Sequence, residues 1–294
     1  MKFLITGANG LFAQSYIDNI SHQFLNDNEI ILTSNSEPIE KTQFNFFKVN
    51  LLENSQVKDL LKSIQPDVLL HFAWEVRKTN YINDISNKQW YFKSKLLIDE
   101  FFKFGGSKFI GIGTLAEYSP QVEEIYLKSP RSPATLYGDY KNKLYEYLDL
   151  SYAGKYMWIR LGSVFNLKSQ RINLFQKIFK SIKENVEINL PLIQHPYLNI
   201  STYGYLISKL IEETLDLKQV NLGAHIPIST SEMITMLRNK LNIEINYKLN
   251  LKDENIGISK HYYLSQSDKD NYQYGTMDSR KEFEKFINDT IYLI

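Results

Sequence analysis

Short apolar runs alternate with stretches of helical spacing through the first half of the chain. The apolar runs predict strands at residues 2–5, 29–33, 44–49, 67–73, 108–114 and 156–162. Apolar positions three and four residues apart predict helices at 11–25, 55–65 and 89–104, and another that opens near Tyr137. Apolar strands separated by helices are typical of a parallel sheet that is covered on both faces. The pattern therefore predicts an α/β protein with a doubly wound parallel sheet of the Rossmann type.

Beyond about residue 165 the alternation becomes looser. Helical spacing continues at 171–184, 202–216 and 230–241, and a last helix starts near Asp278. Ser229 and Glu232 have the spacing of a capping box. No repeat, low-complexity tract or long polar linker interrupts this part. We expect a Rossmann domain at 1–165 and a smaller C-terminal substrate-binding cap at 166–294, with some segments returning to the Rossmann domain.

The composition argues against several kinds of partner. Hydrophobic residues make up 43% of the 294 residues, and 34 basic against 33 acidic residues leave a net charge of +1. This balance gives no electrostatic reason to expect nucleic acid or an anionic membrane as partner. No apolar stretch approaches the roughly 20 residues that span a bilayer. The N-terminus lacks the apolar segment of a signal peptide, so we expect a cytoplasmic enzyme.

Metal and thiol chemistry are not predicted. Cysteine is absent, which excludes disulfides, a thiolate nucleophile and a cysteine-based metal site. The five histidines, at positions 22, 71, 195, 225 and 261, show no metal-ligand spacing. His71 is interpreted as a residue at a strand end whose hydrogen bonds are satisfied within the protein.

The segment "ITGANGLFAQ" joins the first predicted strand to the first predicted helix. Gly7 permits a tight turn, Gly10 permits close approach of a pyrophosphate, and the small Ala13 lets helix and strand pack. The N-terminus of the helix would supply N–H groups and a favourable dipole. An ordinary glycine turn is the alternative. The position directly after the first strand of an α/β pattern favours dinucleotide binding.

The second strand ends without the acidic residue that binds the adenosine ribose of NAD(H). Thr33, Ser34 and Asn35 stand there instead. A carboxylate would repel a 2′-phosphate, whereas hydroxyl and amide groups can donate hydrogen bonds to it. NADP(H) is therefore favoured over NAD(H), although no arginine stands there to bind the phosphate and Lys41 lies further along the chain.

A tyrosine precedes a lysine by four residues at three places: Tyr91/Lys95, Tyr137/Lys141 and Tyr205/Lys209. On a helix this spacing puts both side chains on one face. With 20 tyrosines and 34 basic residues in the chain, such pairs also arise on solvated helix faces. The spacing alone does not decide which pair, if any, is catalytic.

Four motifs occur in a fixed order: the glycine loop, "LLHFAW" (69–74), "IGTLAEY" (112–118) and Tyr137-x-x-x-Lys141. In these motifs the chain resembles the extended short-chain dehydrogenase/reductases, within the NAD-dependent epimerase/dehydratase family that acts on nucleotide sugars. The resemblance covers most of the chain and is best over 1–165. It implies a Rossmann domain, a nucleotide-sugar cap and a Ser/Thr–Tyr–Lys catalytic set. It also implies a homodimer formed through the helix that carries Tyr137.

The motif order selects one of the three tyrosine–lysine pairs. Thr114 ends a strand 23 residues before Tyr137, and "PATLYGDYK" (133–141) resembles the catalytic segment of the family. Tyr137 would protonate a carbonyl oxygen to which Thr114 donates a hydrogen bond. A neighbouring ammonium lowers the pKa of a phenol from about 10, which is the role expected of Lys141. The resemblance implies that Lys141 also binds the nicotinamide ribose.

Dehydratases of the family carry an Asp-Glu pair directly after the Ser/Thr. Leu115 and Ala116 occupy these positions, and neither can transfer a proton. The motifs look most like those of enzymes that reduce 4-keto-6-deoxy nucleotide sugars, such as dTDP-4-keto-6-deoxyglucose, for surface polysaccharide biosynthesis. A nucleotide-sugar epimerase, an oxidoreductase for a flavonoid-type or steroid ketone, and an inactive NADP-binding sensor or scaffold are the alternatives.

Further contacts are expected around these motifs. Three of the expected contacts have alternative roles. Trp74 could instead pack in the core, Asn50 could cap a loop, and Glu117 could be an ordinary polar loop residue. Trp90 and Ser163 stand where the family often has asparagine. The predicted cofactor contacts are Gly7, Asn9, Gly10, Leu11, Phe12, Ser34, Asn35, Asn50, Leu51, Phe72, Ala73, Trp74, Tyr137, Lys141, Leu161 and Val164. The predicted substrate contacts are Thr114, Glu117, Tyr118, Arg171, Asn173 and His195, the last three for a diphosphate.

Overall fold

The computed structural model describes residues 1–39, 41–167, 173–250, 262–265, 277–290 and 292. Its helices are α1 (Leu11–Ile17), α2 (His22–Asp27), α3 (Asn54–Ile64), α4 (Ser86–Lys103), α5 (Leu136–Ser151), α6 (Leu174–Glu184), α7 (Ile200–Glu213), α8 (Thr230–Leu241) and α9 (Ser279–Thr290). The first seven strands are β1 (Lys2–Thr6), β2 (Glu29–Ser34), β3 (Asn45–Lys48), β4 (Val68–His71), β5 (Lys108–Thr114), β6 (Glu124–Ile125) and β7 (Tyr156–Leu161). The other strands are β8 (Val164–Phe165), β9 (Ile188–Pro191), β10 (Gln194–His195), β11 (Leu198–Asn199), β12 (Gln219–Leu222), β13 (Ile228–Ser229), β14 (Tyr247–Asn250) and β15 (Tyr263–Leu264).

Seven parallel strands form one open sheet in the order β12-β7-β5-β4-β1-β2-β3. Thr6, the last residue of β1, pairs with Thr33 of β2 and His71 of β4. Because the strands run in one direction, their carboxyl ends meet at one edge, where ligands bind in this class of fold. All six strands predicted from apolar runs lie in this sheet, which confirms the doubly wound Rossmann fold.

The seventh strand, β12, was not predicted. It pairs with β7 at the edge of the sheet, with Gln219 beside Trp158 and Leu222 beside Leu161. Polar and apolar residues alternate along β12, so it lacks the continuous apolar run of the other strands. Its contribution to the core comes from Val220 and Leu222, which are both buried.

Helices cover both faces of the sheet. Successive side chains of a strand point to opposite faces. Phe3 and Ile5 of β1 accordingly pack in a core with α1 and α7, while Leu4 packs in a second core with α3, α4 and α5. Helix α7 approaches α1 so closely that a Cβ atom at Gly204 would collide with Ser15. This C-terminal helix therefore covers the sheet.

The helix predicted at 11–25 is wrong in its extent. The structure divides it into α1 and α2, separated by Asp18–Ser21. The side chain of Ser21 accepts a hydrogen bond from the N–H of Phe24 and so caps α2. A serine cap stabilises a new helix start, and the helical spacing of apolar residues does not reveal such a break.

Helices α6, α8 and α9 form a separate hydrophobic core with β9, β13 and the aromatic residues Phe165 and Tyr197. The capping box predicted before α8 is confirmed, since Ser229 and Glu232 exchange both hydrogen bonds. Helix α9 starts at Ser279, next to the predicted Asp278. The assignment of this core to a substrate-binding cap remains a prediction.

Candidate active site

The glycine loop lies where β1, β4 and α1 meet. Gly7 has a φ of +71°, and a Cβ atom there would lie 2.7 Å from the backbone of Ala73. The N–H of Gly10 donates to the carbonyl oxygen of Gly7 at 2.8 Å and closes the turn before α1. Ala13 is fully buried in the packing of α1 on the sheet. Only glycine fits position 7, both because of its positive φ and because the backbone of Ala73, just after β4, is in contact.

Asn9 connects this loop to the segment that follows β2. Its Nδ2 donates to Ser36 Oγ and to the carbonyl oxygen of Glu37, each at 2.8 Å. The Oδ1 of Asn9 and the Oγ1 of Thr33 are buried without a hydrogen-bond partner in the described part of the chain. Buried polar atoms are normally paired, so these two oxygens can receive hydrogen bonds from a bound molecule.

The end of β2 has a charged neighbour, Lys48, that the sequence pattern does not reveal. Ser34 is buried and Asn35 is exposed. Lys48 of β3 stands beside Ser34 in the sheet, and its Nζ lies 3.2 Å from a carboxylate oxygen of Glu37. Parallel pairing of the second and third strands brings Lys48 here, so the register of the sheet would have been needed to find it.

Helix α5, which carries Tyr137, packs closely on the turn that follows Thr114 at the end of β5. A Cβ atom at Gly138 would collide with the carbonyl oxygen of Ala116. Thr135 caps α5 by accepting a hydrogen bond from Gly138 N–H at 3.2 Å. The first turn of α5, which includes Tyr137, therefore lies against the residues that follow Thr114.

Aromatic rings surround Tyr137. Its ring packs edge-on against Tyr81 at 5.2 Å and against Trp74 at 6.4 Å between centroids. Trp74 donates from Nε1 to Asn87 Oδ1 at 2.8 Å and packs near Trp90. Trp74 therefore packs against the core beside Trp90, and its contact with a cofactor remains a prediction.

Lys141 is buried one helical turn after Tyr137, with 2% of its surface exposed. Its Nζ donates to the carbonyl oxygen of Ile112 at 2.7 Å and lies 4.0 Å from the centre of the Trp74 ring. Burial lowers the pKa of Lys141 to about 7, against the opposing field of the Glu117 carboxylate. The ammonium can therefore lose its proton near neutrality.

His71 lies at the end of β4 and is 2% exposed. Its Nδ1 is 2.7 Å from Thr6 Oγ1 and its Nε2 is 3.0 Å from Ser94 Oγ. Burial, with a smaller contribution from Lys141, lowers the pKa of His71 to about 3. The imidazole is neutral with both nitrogens paired, as expected for a satisfied residue at a strand end.

Two residues predicted to contact the substrate are buried and hydrogen-bonded within the protein. Glu117 is fully buried, and its carboxylate binds Arg160 Nε at 2.6 Å and the Trp158 indole at 3.1 Å. Tyr118 is 1% exposed and donates to Asn221 Oδ1 at 3.1 Å. They follow Thr114 by three and four residues, and the turn after β5 points both side chains into the core.

Two further substrate candidates also have structural partners. The side chain of Asn173 caps α6, where it accepts from Gln176 N–H at 2.9 Å. His195 is 3% exposed, and its Nδ1 lies 3.3 Å from Ser163 Oγ. Both side chains therefore have partners within the protein, and their contact with a diphosphate remains a prediction. Arg171 lies outside the described residues.

The remaining candidates for cofactor contact lie at or near the carboxyl edge of the sheet. The Oδ1 of Asn50 accepts from Leu52 N–H at 3.1 Å, which is the loop-cap role. The others are Leu11 and Phe12 at the start of α1, Leu51 after β3, Phe72 and Ala73 after β4, Leu161 at the end of β7 and Val164 at the start of β8. Their contacts with a cofactor remain predictions.

Of the other two tyrosine–lysine pairs, Tyr91/Lys95 packs against α5 and Tyr205/Lys209 lies on a helix surface. Lys95 stacks over the ring of Tyr147 at 4.0 Å. Lys209 pairs with Glu213 at 3.4 Å, and Tyr205 is 47% exposed. Within the described residues, no group of three or more potential ligands could hold a metal ion, and no helix is long and apolar enough to cross a membrane.

The glycine turn between β1 and α1, at the carboxyl edge of an open parallel sheet, places the protein in the Rossmann class of α/β folds. The model of the NAD dependent epimerase/dehydratase family matches residues 3–191, and the chain belongs to this family. No curated protein matches the sequence.

Solved structures share the whole fold. A UDP-glucose 4-epimerase of Thermotoga maritima with UDP-glucose is 16% identical, with a TM-score of 0.78 over 99% of this chain and 100% of that one. A UDP-N-acetylglucosamine 4-epimerase of Methanobrevibacter ruminantium is 15% identical, with a TM-score of 0.79 over 100% and 99%. A UDP-glucuronic acid 4-epimerase of Bacillus cereus with UDP-glucuronic acid and NAD is 17% identical, with a TM-score of 0.78 over the full length of both chains. At these identities the similarity establishes the fold.

Proposed function

We propose that the protein reduces a 4-keto-6-deoxy nucleotide sugar, such as dTDP-4-keto-6-deoxyglucose, with NADPH. The product would be a dTDP-6-deoxyhexose for surface polysaccharide biosynthesis. The observation that supports the proposal is the packing of Gly138 on Ala116, together with the hydrogen bond from Lys141 Nζ to the carbonyl oxygen of Ile112, which holds α5 against the carboxyl end of β5. Ligands bind at this edge in open α/β sheets.

The residues present fit a nicotinamide dinucleotide, which would supply a hydride when bound. Gly7 and Gly10 would hold its pyrophosphate against the turn before α1. Asn9 and Thr33 each keep a buried oxygen without a partner near the end of β2, where the adenosine ribose would lie. Lys141 would bind the nicotinamide ribose.

Side chains of the protein can supply the proton that the substrate oxygen needs. Tyr137 would donate its phenolic proton to the carbonyl oxygen as that oxygen gains negative charge. The Oγ1 of Thr114 accepts from Ala116 N–H at 3.2 Å, so the hydroxyl hydrogen remains for donation to the same oxygen. The ammonium of Lys141, buried one turn away, would stabilise the phenolate that Tyr137 becomes.

Water elimination is not supported by the side chains that follow Thr114. Leu115 is 2% exposed and packs with Tyr118, and Ala116 carries no proton-transferring group. The nearest acid along the chain, Glu117, is buried in an ion pair with Arg160. The chemistry left to the site is oxidation or reduction at a carbinol or carbonyl carbon.

The choice of NADPH rests on the end of β2. Ser34 stands where a carboxylate would repel a 2′-phosphate, and Lys48 adds a cation in the neighbouring strand. The ion pair with Glu37 is exposed, so Lys48 could exchange this partner for a phosphate at small cost.

A 4-epimerase that uses NAD is the second candidate. Two observations favour it. The first is that the similar structures are 4-epimerases of UDP-sugars, one of them with NAD bound. The exposed carboxylate of Glu37, held near the glycine loop through Asn9, is a further group that could bind a ribose hydroxyl. An epimerase recycles its nicotinamide, whereas a reductase consumes it.

The two candidates are separated by one experiment. The purified protein is incubated with NADPH or NADH and with dTDP- or UDP-4-keto-6-deoxyglucose, and loss of reduced nicotinamide is compared with sugar products. Stoichiometric NADPH oxidation with formation of a 6-deoxyhexose supports the reductase. Interconversion of UDP-glucose and UDP-galactose without net oxidation establishes the epimerase instead. Cofactor binding without turnover of any of these sugars contradicts both and favours a sensor or scaffold.

We also propose a homodimer formed through α4 and α5. Phe92 on α4 is 54% exposed and packs on Tyr91, whose ring contacts Tyr140 of α5. Light scattering after gel filtration tests this, and Phe92→Glu is expected to yield monomers.

A further inference from the structure

A carboxylate is buried beneath the strand end that carries Thr114. Glu117 Oε1 accepts the backbone N–H of Thr114 at 2.8 Å, and Oε2 accepts Arg160 Nε at 2.6 Å. The indole Nε1 of Trp158 lies 3.1 Å from both oxygens. Glu117 and Arg160 are both 0% exposed. The carboxylate is therefore satisfied entirely by the protein.

The sheet provides the space for this carboxylate. Gly113 pairs with Arg160, and Gly111 pairs with Trp158, between β5 and β7. A Cβ atom at Gly113 would collide with both the Trp158 indole nitrogen and Glu117 Oε1. The absence of a side chain at Gly113, directly before Thr114, lets the acid lie under the strand end.

Arg160 balances the charge from the next strand. Its Nη1 donates to Gln219 Oε1 at 2.9 Å, and the guanidinium lies 4.6 Å from the centre of the Tyr145 ring. Removing one member of a buried ion pair leaves an uncompensated charge, whereas replacing both with neutral groups is often tolerated. Stability alone therefore does not require this pair.

The pair lies next to the group that the proposed mechanism keeps charged. Lys141 donates to Ile112 on β5, two residues before Thr114. The groups that face Lys141 are the Glu117 carboxylate, the neutral His71, the Trp74 ring and Tyr137 one turn earlier on α5. Glu117 is the anion that raises the pKa of Lys141 against the effect of burial.

We propose that Glu117 is a positioning residue that fixes Thr114 through its backbone N–H and places a negative charge close to Lys141, with Arg160 as the counter-ion. The inference deepens the proposed function, because both residues on which Glu117 acts belong to the proposed catalytic set. It assigns a role to a carboxylate that is fully buried and hydrogen-bonded within the protein.

The test measures the charge of Lys141 directly and needs no substrate. Protein labelled with ¹³C at the lysine ε-carbon is titrated by NMR, and the Lys141 resonance is identified by its loss in Lys141→Met. The test variant is Glu117→Gln/Arg160→Met, which keeps an acceptor for Thr114 N–H and leaves no unpaired buried charge. We expect the pKa of Lys141 to fall by roughly one unit in this variant, a tenfold change in the protonation equilibrium.

Asp139→Asn is the matched control, since it removes a carboxylate from the outer surface of the same helix, where Asp139 pairs with Lys143. The Lys141 titration should not move in this control. An unchanged titration in the double variant overturns the proposal. If the double variant does not fold, Glu117→Asp replaces it. This substitution shortens the side chain by one methylene, so the pKa of Lys141 should shift in the same direction but by less. An unchanged titration in Glu117→Asp would also overturn the proposal.

Turnover supplies a second measurement. With the reductase substrate, the double variant should lose activity mainly above neutral pH and recover it toward pH 6, where Lys141 is charged in both proteins. A loss that is equal at every pH would show that the pair serves folding only. The NMR titration requires no substrate, so it still tests the role of Glu117 if the proposed reaction is not observed.

Discussion

The backbone of Gly138 lies against the carbonyl oxygen of Ala116 so closely that a Cβ atom would collide with it. This contact sets the distance between α5 and the end of β5. Gly138→Ala should therefore push α5 outward, at a cost of about 1–3 kcal/mol in the free energy of unfolding. Turnover should fall further than stability, because Tyr137 moves relative to Thr114. Urea denaturation and steady-state kinetics measure the two effects.

Asp139→Ala is the control for Gly138→Ala, because it changes the next residue of the same helix turn. It removes an exposed ion pair with Lys143, which should cost less than about 1 kcal/mol. Equal effects of the two substitutions on turnover would contradict the proposed role of the Gly138 contact.

Tyr137→Phe tests the proton donor. Removal of the phenolic hydroxyl should reduce kcat by roughly 10²–10⁴-fold, while the dissociation constant for the cofactor stays within a small factor. Tyr205→Phe, in one of the other tyrosine–lysine pairs, should leave kcat unchanged. Near-normal turnover in Tyr137→Phe would refute the assignment.

Lys141 should make stability depend on pH above neutrality. Its pKa is about 7 in the folded protein against an ordinary 10.5, so between these values the unfolded chain binds the extra proton. The free energy of unfolding therefore rises with pH in this window. Lys141→Met removes this contribution, so its stability relative to the native protein should decrease from pH 7 to pH 9. Urea denaturation at both pH values, with exposed Lys143→Met as control, measures it; parallel pH dependences would contradict the burial effect.

His71 should contribute to acid sensitivity. Burial lowers its pKa from 6.5 to about 3, so the stability it provides is complete above pH 6.5 and is lost as pH falls toward 3. His71→Gln can keep hydrogen bonds to Thr6 and Ser94 without titrating. Its free energy of unfolding should fall less between pH 6.5 and pH 4 than that of the native protein. His22→Gln, at an exposed position, should follow the native curve.

Lys48 tests the cofactor preference. Lys48→Ala should raise KM for NADPH by roughly three- to tenfold and leave KM for NADH unchanged, because only NADPH carries the 2′-phosphate. Lys58→Ala, at a half-exposed ion pair on α3, is the control. If NADH gives the higher kcat/KM in the native protein, the interpretation of Ser34 and Asn35 is wrong.

Most of the sheet could be predicted because its strands are buried on both faces and so appear as continuous apolar runs. The strand β12 could not be predicted in this way, because Gln219 and Asn221 interrupt its apolar pattern at the sheet edge. The break in the helix after Ile17 could not be predicted either, because the cap at Ser21 depends on local hydrogen bonding, which the spacing of apolar residues does not show.

The sequence by itself determined the parallel sheet, the glycine turn, and the order of Thr114, Tyr137 and Lys141 along the chain, since each depends on local pattern or spacing. Only the tertiary structure decided which polar side chains turn inward. It buried Glu117 with Arg160 and Tyr118 with Asn221, and it placed Lys48 beside Ser34. These contacts join residues that are distant in sequence, and their geometry follows from sheet register and close packing.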